Sequence, residues 1–293
     1  MLDQASALRT IAGYSISVPE RRRSSHAPVA IAITSGKGGV GKTNVVANLA
    51  VALARMKKRV TILDADFGLA NIDVLLGLAP RYNLRDFMFG DLRLEDIIVE
   101  GPEGIRIIPA SSGTERMAEL TGEQQSKLIH AMSDLAADTD YLLIDTAAGI
   151  SSNVINFLMA SGLVVVVTTP EPTAIVDAYL VIKILSRREP GKHVSLLVNS
   201  VFGADEARNV FDQIDRAARR FLDKSINLLG FIERDGNVME AVRQQEPVTT
   251  LYPQSAASAC IKTVARSLDR QCVALKKQRD IGLSWQELFE VIE

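Results

Sequence analysis

The sequence predicts an α/β fold, a doubly wound, mostly parallel sheet with helices on both faces. Three observations predict it. Seven apolar runs, VAIAIT, VTILDAD, IRIIPA, YLLIDTA, LVVVVTT, VSLLVNS and SINLLGFIE, are nearly continuous in Val, Ile and Leu, as strands buried on both faces must be. Stretches of helical periodicity separate them and supply the crossovers that parallel strands require. The first run leads through a glycine-rich turn straight into a helix, and in such sheets ligands bind outside the carboxyl ends of the strands.

Taken in order, residues 1–12 place Leu2, Leu8 and Ile11 among alanines, a helical pattern too short to be stable alone. Residues 13–28 carry Pro19, Arg21, Arg22, Arg23, Ser24 and Ser25 and read as a flexible tether. A single domain is expected over 29–271, with helices at 42–56, 121–137, 151–161, 173–188, 204–222, 238–245 and 254–271. The remaining 272–293 form an amphipathic C-terminal segment in which Trp285, Leu288, Phe289 and Ile292 fall at i, i+3, i+4 and i+7 on one stripe. Its other face carries Glu287, Glu290 and Glu293, with Lys276, Lys277 and Arg279 upstream, so holding a membrane surface and packing back on the domain are equal alternatives.

Composition narrows the function classes. In 293 residues, 33 Lys+Arg face 35 Asp+Glu, so no basic field argues for wrapping nucleic acid, and direct DNA binding is not expected. Cys260 and Cys272 have neither CxxC spacing nor neighbouring histidines, which offers no disulfide framework and no metal site. No apolar run reaches the roughly 18 residues of a spanning helix, and Asp3 and Arg9 stand where a signal peptide would be apolar. A cytoplasmic protein is expected, or one peripheral at the inner face of the cell membrane or at the pole.

The chemistry is concentrated in GKGGVGKT, Gly36 to Thr43, which satisfies G-x-x-x-x-G-K-[ST] between a strand and a helix. Gly36, Gly38, Gly39 and Gly41 let the backbone turn tightly and aim N–H groups at phosphate oxygens, with Val40 between them and Asn44 beginning the helix whose positive end adds to the cradle. Lys42 would neutralise the β/γ-phosphates of ATP, and the Thr43 hydroxyl would meet Mg²⁺. Asp145 ends the run YLLID, where a carboxylate holds Mg²⁺ through water. Asp64 and Asp66 share one face at the end of VTILDAD, so that one can serve the magnesium shell and the other the attacking water. Gly149 gives the loop after Asp145 freedom to respond to the γ-phosphate. Asn199, ending VSLLVN, presents an amide that can read adenine.

Lys37 is not required by the general motif, and with it the loop resembles the deviant Walker A of the MinD/ParA class of P-loop ATPases, over nearly everything from Val29 to Gln271. That resemblance implies that Lys37 reaches across an ATP-bound homodimer to act on the partner's phosphates, that Asp66 orients the water and that Asp64 supports magnesium. It also brings Arg234 towards the base, although relatives commonly have proline where Glu233 stands. The segments DADFGLANIDVLLG, DTAAGI and EPTAIVDAYLVIKIL, with DQASALR ahead of the domain, are most similar to the FlhG (FleN) family, MinD-like ATPases that control flagellar number and placement. In that family a DQxxxLR segment resembles the helix that activates the FlhF GTPase. This implies Gln4 as the residue arranging the GTPase's water and Asp3, Leu8 and Arg9 as docking contacts, coupled folding on the partner supplying the stability the helix lacks. The resemblance also implies flagellar switch-complex proteins and the flagellar master transcription regulator as partners. MinD-type division-site selection and ParA-type DNA partition are the rivals within the class. An electron-transfer iron protein of the same fold is opposed by cysteines so far downstream of the nucleotide motifs.

Overall fold

The computed structural model describes residues 28–66, 71–110, 121–136, 138–277, 281, 282 and 284. The expected N-terminal helix and tether, with Asp3, Gln4, Leu8 and Arg9, and the apolar stripe Trp285, Leu288, Phe289 and Ile292 lie outside these residues.

Eight strands form one sheet in the order β3-β4-β2-β5-β1-β6-β7-β8. They are β1 (Val29–Thr34), β2 (Val60–Ala65), β3 (Val99–Glu100), β4 (Arg106–Ile108), β5 (Tyr141–Thr146), β6 (Leu163–Thr168), β7 (Val194–Val201) and β8 (Asn227–Glu233). All pairs are parallel except β3 with β4, a two-residue edge strand that sequence periodicity is too short to mark. Strand β1 sits centrally between β5 and β6, and its residues alternate between two cores. Ala30 and Ala32 face a cluster with Phe87, Phe157 and Ile182, whereas Val29, Ile31 and Ile33 face one with Leu49, Leu53 and Leu268. Both faces are thus covered, which is why these strands have no polar side.

The helices are α1 (Lys42–Arg55), α2 (Ile72–Leu75), α3 (Leu84–Phe89), α4 (Leu94–Ile97), α5 (Gly122–Ala136), α6 (Ser152–Ala160), α7 (Pro172–Arg188), α8 (Ala204–Leu222), α9 (Gly236–Arg243), α10 (Val248–Leu251) and α11 (Ala256–Lys276). Helices α5 to α8 cover one face and α1 with α9 to α11 the other, with α2, α3, α4 and α10 as short additions that the sequence pattern does not announce. Helix α9 starts two residues before the expected 238, because Asp235 caps it by accepting from the Asn237 N–H at 2.9 Å. Helix α11 runs five residues past the expected 271, with Cys272 and Leu275 buried, so the domain boundary placed there falls inside a helix. Ile281, beyond that helix, is also buried and accepts a hydrogen bond from Ala30 N at 3.0 Å.

Candidate nucleotide site

The turn from Ser35 to Gly41 joins β1 to α1 at the carboxyl edge of the sheet. Gly39 and Gly41 have φ of 82° and 85°, in the left-handed region that admits glycine without strain. Gly36 passes so close to α7 that a Cβ there would lie 2.3 Å from the backbone carbon and oxygen of Asp177. The loop is further tied by the Ser35 hydroxyl donating to Lys37 O at 2.9 Å and by Asn199 Nδ2 donating to Val40 O at 2.8 Å. Helix α1 begins at Lys42 with no capping side chain and no acidic residue in its first turn. Its positive end therefore faces the loop uncompensated, as an anion cradle requires.

The two lysines of the loop take different partners. Lys42 is buried and its Nζ donates to Asp145 Oδ1 at 2.5 Å. Lys37 is 40% exposed; its Nζ donates to Glu171 Oε2 at 2.7 Å and to Thr173 Oγ1 at 3.1 Å, both at the start of α7. Asn44 is turned inward along α1, its carbonyl and its side-chain oxygen each accepting from Asn48 Nδ2 at 2.9 Å.

Asp64 and Asp145 are paired residues on the adjacent strands β2 and β5, so two buried carboxyls lie side by side. Burial pushes the Asp64 carboxyl up, the neighbouring Asp145 charge pushes it further, and the N–H groups of Asp66 and Ile72 only partly pull it back, leaving it at about 7. Burial also raises Asp145, with Lys42 and the donating hydroxyl of Thr43 opposing the shift. Asp64 Oδ1 accepts from Asp66 N at 3.0 Å, while Oδ2 is buried with no hydrogen-bond partner. Asp66 itself stands one residue past the end of β2, half-buried.

This donor set fits Mg²⁺ with a triphosphate. A hard cation beside Asp145 and Thr43 would stabilise two carboxylates that burial disfavours and give the orphaned Asp64 oxygen a charge to face. Among the described residues there is no group of three or more His, Cys, Asp or Glu that could hold a metal ion.

Strand β7 continues two residues beyond Asn199, through a bulge and Ser200 at φ 60°, and the Asn199 amide braces the phosphate loop. Arg234 is exposed, its N–H donating to Val201 O at 2.7 Å and its guanidinium lying 5.9 Å from the ring centre of Phe202, which is 80% exposed. The sequence reading missed Ser35, Glu171 and Thr173. The text held a signal for the last two: the proline-started helix after LVVVVTT must begin beside the phosphate loop once β6 is placed next to β1.

The ParA family profile, described as the NUBPL iron-transfer P-loop NTPase, matches residues 27–269. The chain is also 45% identical, over 84% of its length and 88% of the relative's, to the antiactivator FleN of Pseudomonas aeruginosa. The chain belongs to the FlhG/FleN group of MinD-like P-loop ATPases. It is 36% identical, over 80% of each chain, to the flagellum site-determining protein YlxH of Helicobacter pylori. The septum site-determining protein MinD of Pyrococcus horikoshii, solved with Mg-ADP, superposes with a TM-score of 0.67 at 27% identity, covering 85% of this chain and 98% of that one. ATP and Mg²⁺ are accordingly the cofactors of this ATPase, and Lys42 and Thr43 both donate to Asp145 beside the loop. Both cysteines lie on α11, Cys272 wholly buried with its thiol pushed up to about 12 by burial, an inert thiol. Among the described residues no helix is long and apolar enough to cross a membrane.

Proposed function

We propose that this ATPase is a dimerising switch that regulates flagellar number and placement. The observation that carries the switch is the division of labour between the loop lysines: Lys42 is buried against Asp145, while Lys37 stands at an exposed mouth where a second molecule can be reached. In the assembled pair each Lys37 would lie against the other copy's triphosphate. A cation set against charge that grows during phosphoryl transfer couples hydrolysis to assembly. Asp66, whose N–H donates to Asp64, would orient the attacking water. The flagellar assignment is supported by the names of the Pseudomonas and Helicobacter relatives.

The finer parts of the reading concern the chain's two ends. Asp3, Gln4, Leu8 and Arg9 would dock on the FlhF GTPase and stimulate it, and the Trp285, Leu288, Phe289 and Ile292 stripe would hold the dimer at the membrane. The flagellar switch complex and master regulator would read the nucleotide state. Light scattering with Mg²⁺ and a non-hydrolysable ATP analogue should give twice the mass found with Mg-ADP, and Lys37→Ala should stay monomeric. Equal masses in both states would sink the switch. A peptide of residues 1–23 should accelerate GTP hydrolysis by FlhF, and a chain ended after Ser284 should fail to float with liposomes that carry the full chain. A deletion strain complemented with Lys37→Ala should show the wrong number of flagella.

A further inference from the structure

We propose that Glu171 and Thr173 are positioning residues that hold Lys37 in a resting place on its own subunit, so that ATP-driven assembly includes release of Lys37 from the first turn of α7. This rests on the reading of Lys37 as the cation that crosses the dimer. Three observations carry it.

First, the contact is specific: one ammonium donates to a carboxylate at 2.7 Å and to a hydroxyl at 3.1 Å, from residues two apart in sequence. Second, its location is one an ammonium avoids. Glu171 is the N-cap residue of α7 but its side chain makes no capping bond, Pro172 follows at the first helical position, and no acidic residue lies in the first turn. The positive end of the helix therefore repels Lys37, and the Glu171 carboxylate, helped by the Thr173 hydroxyl, outweighs that repulsion. Third, the backbone on both sides is fixed. Gly36 is pressed on the main chain of Asp177, and the Lys37 carbonyl is held by the Ser35 hydroxyl at 2.9 Å. Only the lysine side chain is left to swing, between its own α7 and a facing subunit.

The pair is exposed, 40% for Lys37 and 64% for Glu171, so the latch is weak and screened by salt. Weakness suits the role. A triphosphate with its concentrated charge outcompetes one carboxylate, whereas a nucleoside diphosphate lacking the γ-phosphate offers Lys37 less to reach for. The resting contact thus sets how much is gained by assembling with ATP and penalises assembly without it.

The test uses the full chain. Dimer dissociation constants are measured by sedimentation with Mg²⁺ and a non-hydrolysable ATP analogue for wild type, Glu171→Gln, Thr173→Val, Thr173→Ser, Lys37→Ala and the double variant Lys37→Ala with Glu171→Gln. Monomer affinity for a fluorescent nucleotide is read alongside. Glu171→Gln should dimerise about 3- to 10-fold more tightly than wild type with monomer nucleotide affinity unchanged, and the gain should vanish at about 1 M salt. Thr173→Val should gain less and Thr173→Ser should behave as wild type. Adding Glu171→Gln to Lys37→Ala should change nothing, a result that a merely structural Glu171 would not give. Dimerisation of Glu171→Gln equal to or weaker than wild type, while Lys37→Ala is defective, would overturn the latch and leave the crossing lysine standing. Wild-type behaviour of Lys37→Ala would overturn both.

Discussion

Lys42 and Asp145 are 8% and 2% exposed, and the desolvation of two charges offsets most of their mutual attraction, so the pair contributes little net stability while either partner alone would be costly. Lys42→Ala is therefore expected to destabilise the apo chain by about 3–5 kcal/mol in urea unfolding, and Lys42→Ala with Asp145→Asn to recover most of that loss without recovering ATP binding. Persistent instability of the double variant would mean that packing, not an uncompensated charge, is what Lys42 supplies. Asp64 gives a pH signature. Its carboxyl is raised to about 7, above the value of an unfolded aspartate, so the native state binds this proton more tightly than the unfolded chain does. The contribution is fully present below about pH 4 and is lost as pH rises towards 7. Asp64→Asn should consequently raise the apo melting temperature at pH 8, by an amount equivalent to about 1–3 kcal/mol, and the difference should narrow at pH 5 and close below about pH 4. A gap independent of pH would show that Asp64 is not the titrating group. Mg-ATP should remove the wild-type deficit at pH 8, since the residues that then face a cation favour the ionised carboxylate.

Elements meet at the phosphate loop with different tolerances, and glycines report them. A methyl at Gly36 would collide with the Asp177 backbone at 2.3 Å, and a helix backbone cannot yield as a flexible side chain can. A methyl at Gly38 meets nothing within 4 Å. Gly36→Ala is thus expected to weaken ATP binding at least tenfold and lower the melting temperature, whereas Gly38→Ala should melt within about 0.5 kcal/mol of wild type. Similar melting of the two variants would mean that the loop and α7 are not in register as described. This contrast also marks what could be read from the text. The long periodic elements were legible because burial on both faces leaves a continuous apolar signature, and GKGGVGKT declared its loop through the backbone freedom and charge a phosphate needs. Lys42, Thr43, Asp64 and Asp145 converge as strand-end reasoning expects. The edge strand β3 and the helices α2, α3, α4 and α10 span too few residues for periodicity to register. The partners of Lys37, and the brace from Asn199 to Val40, are contacts 134, 136 and 159 residues apart in sequence that exist only once β6 is laid beside β1 and β7 beside β6.

Across the whole molecule, the nucleotide residues gather at the carboxyl edge of the sheet and the chain's end crosses the opposite edge. Ile281, 1% exposed, accepts from Ala30 N at 3.0 Å near the start of β1, and Gly162, just before β6, lies so close that a Cβ would be 2.3 Å from the Ile281 carbonyl oxygen. Ser284 N donates to Ala160 O at 2.7 Å at the end of α6. Between them these contacts close the amino-terminal edge of the central strands, satisfying a main-chain N–H and a helix-terminal carbonyl that would otherwise be buried unpaired or opened to water. The crossing belongs to the fold although it lies beyond the last described helix. A chain ended after Lys277 is therefore expected to lose about 2–4 kcal/mol, the cost of emptying an isoleucine site, and to expose the start of β1 to faster amide exchange. A chain ended after Ser284 should melt as the full protein does, and Ile281→Ala in the full chain should reproduce much of the loss. If the chains ended after Lys277 and after Ser284 melt together, the crossing contributes nothing to the fold and Ile281 is merely covered by it. If they differ as expected while ATP-dependent dimerisation survives in both, the closed edge and the switching edge are energetically separate. A partner that engages the end of the chain would then gain no leverage on the nucleotide through Ile281.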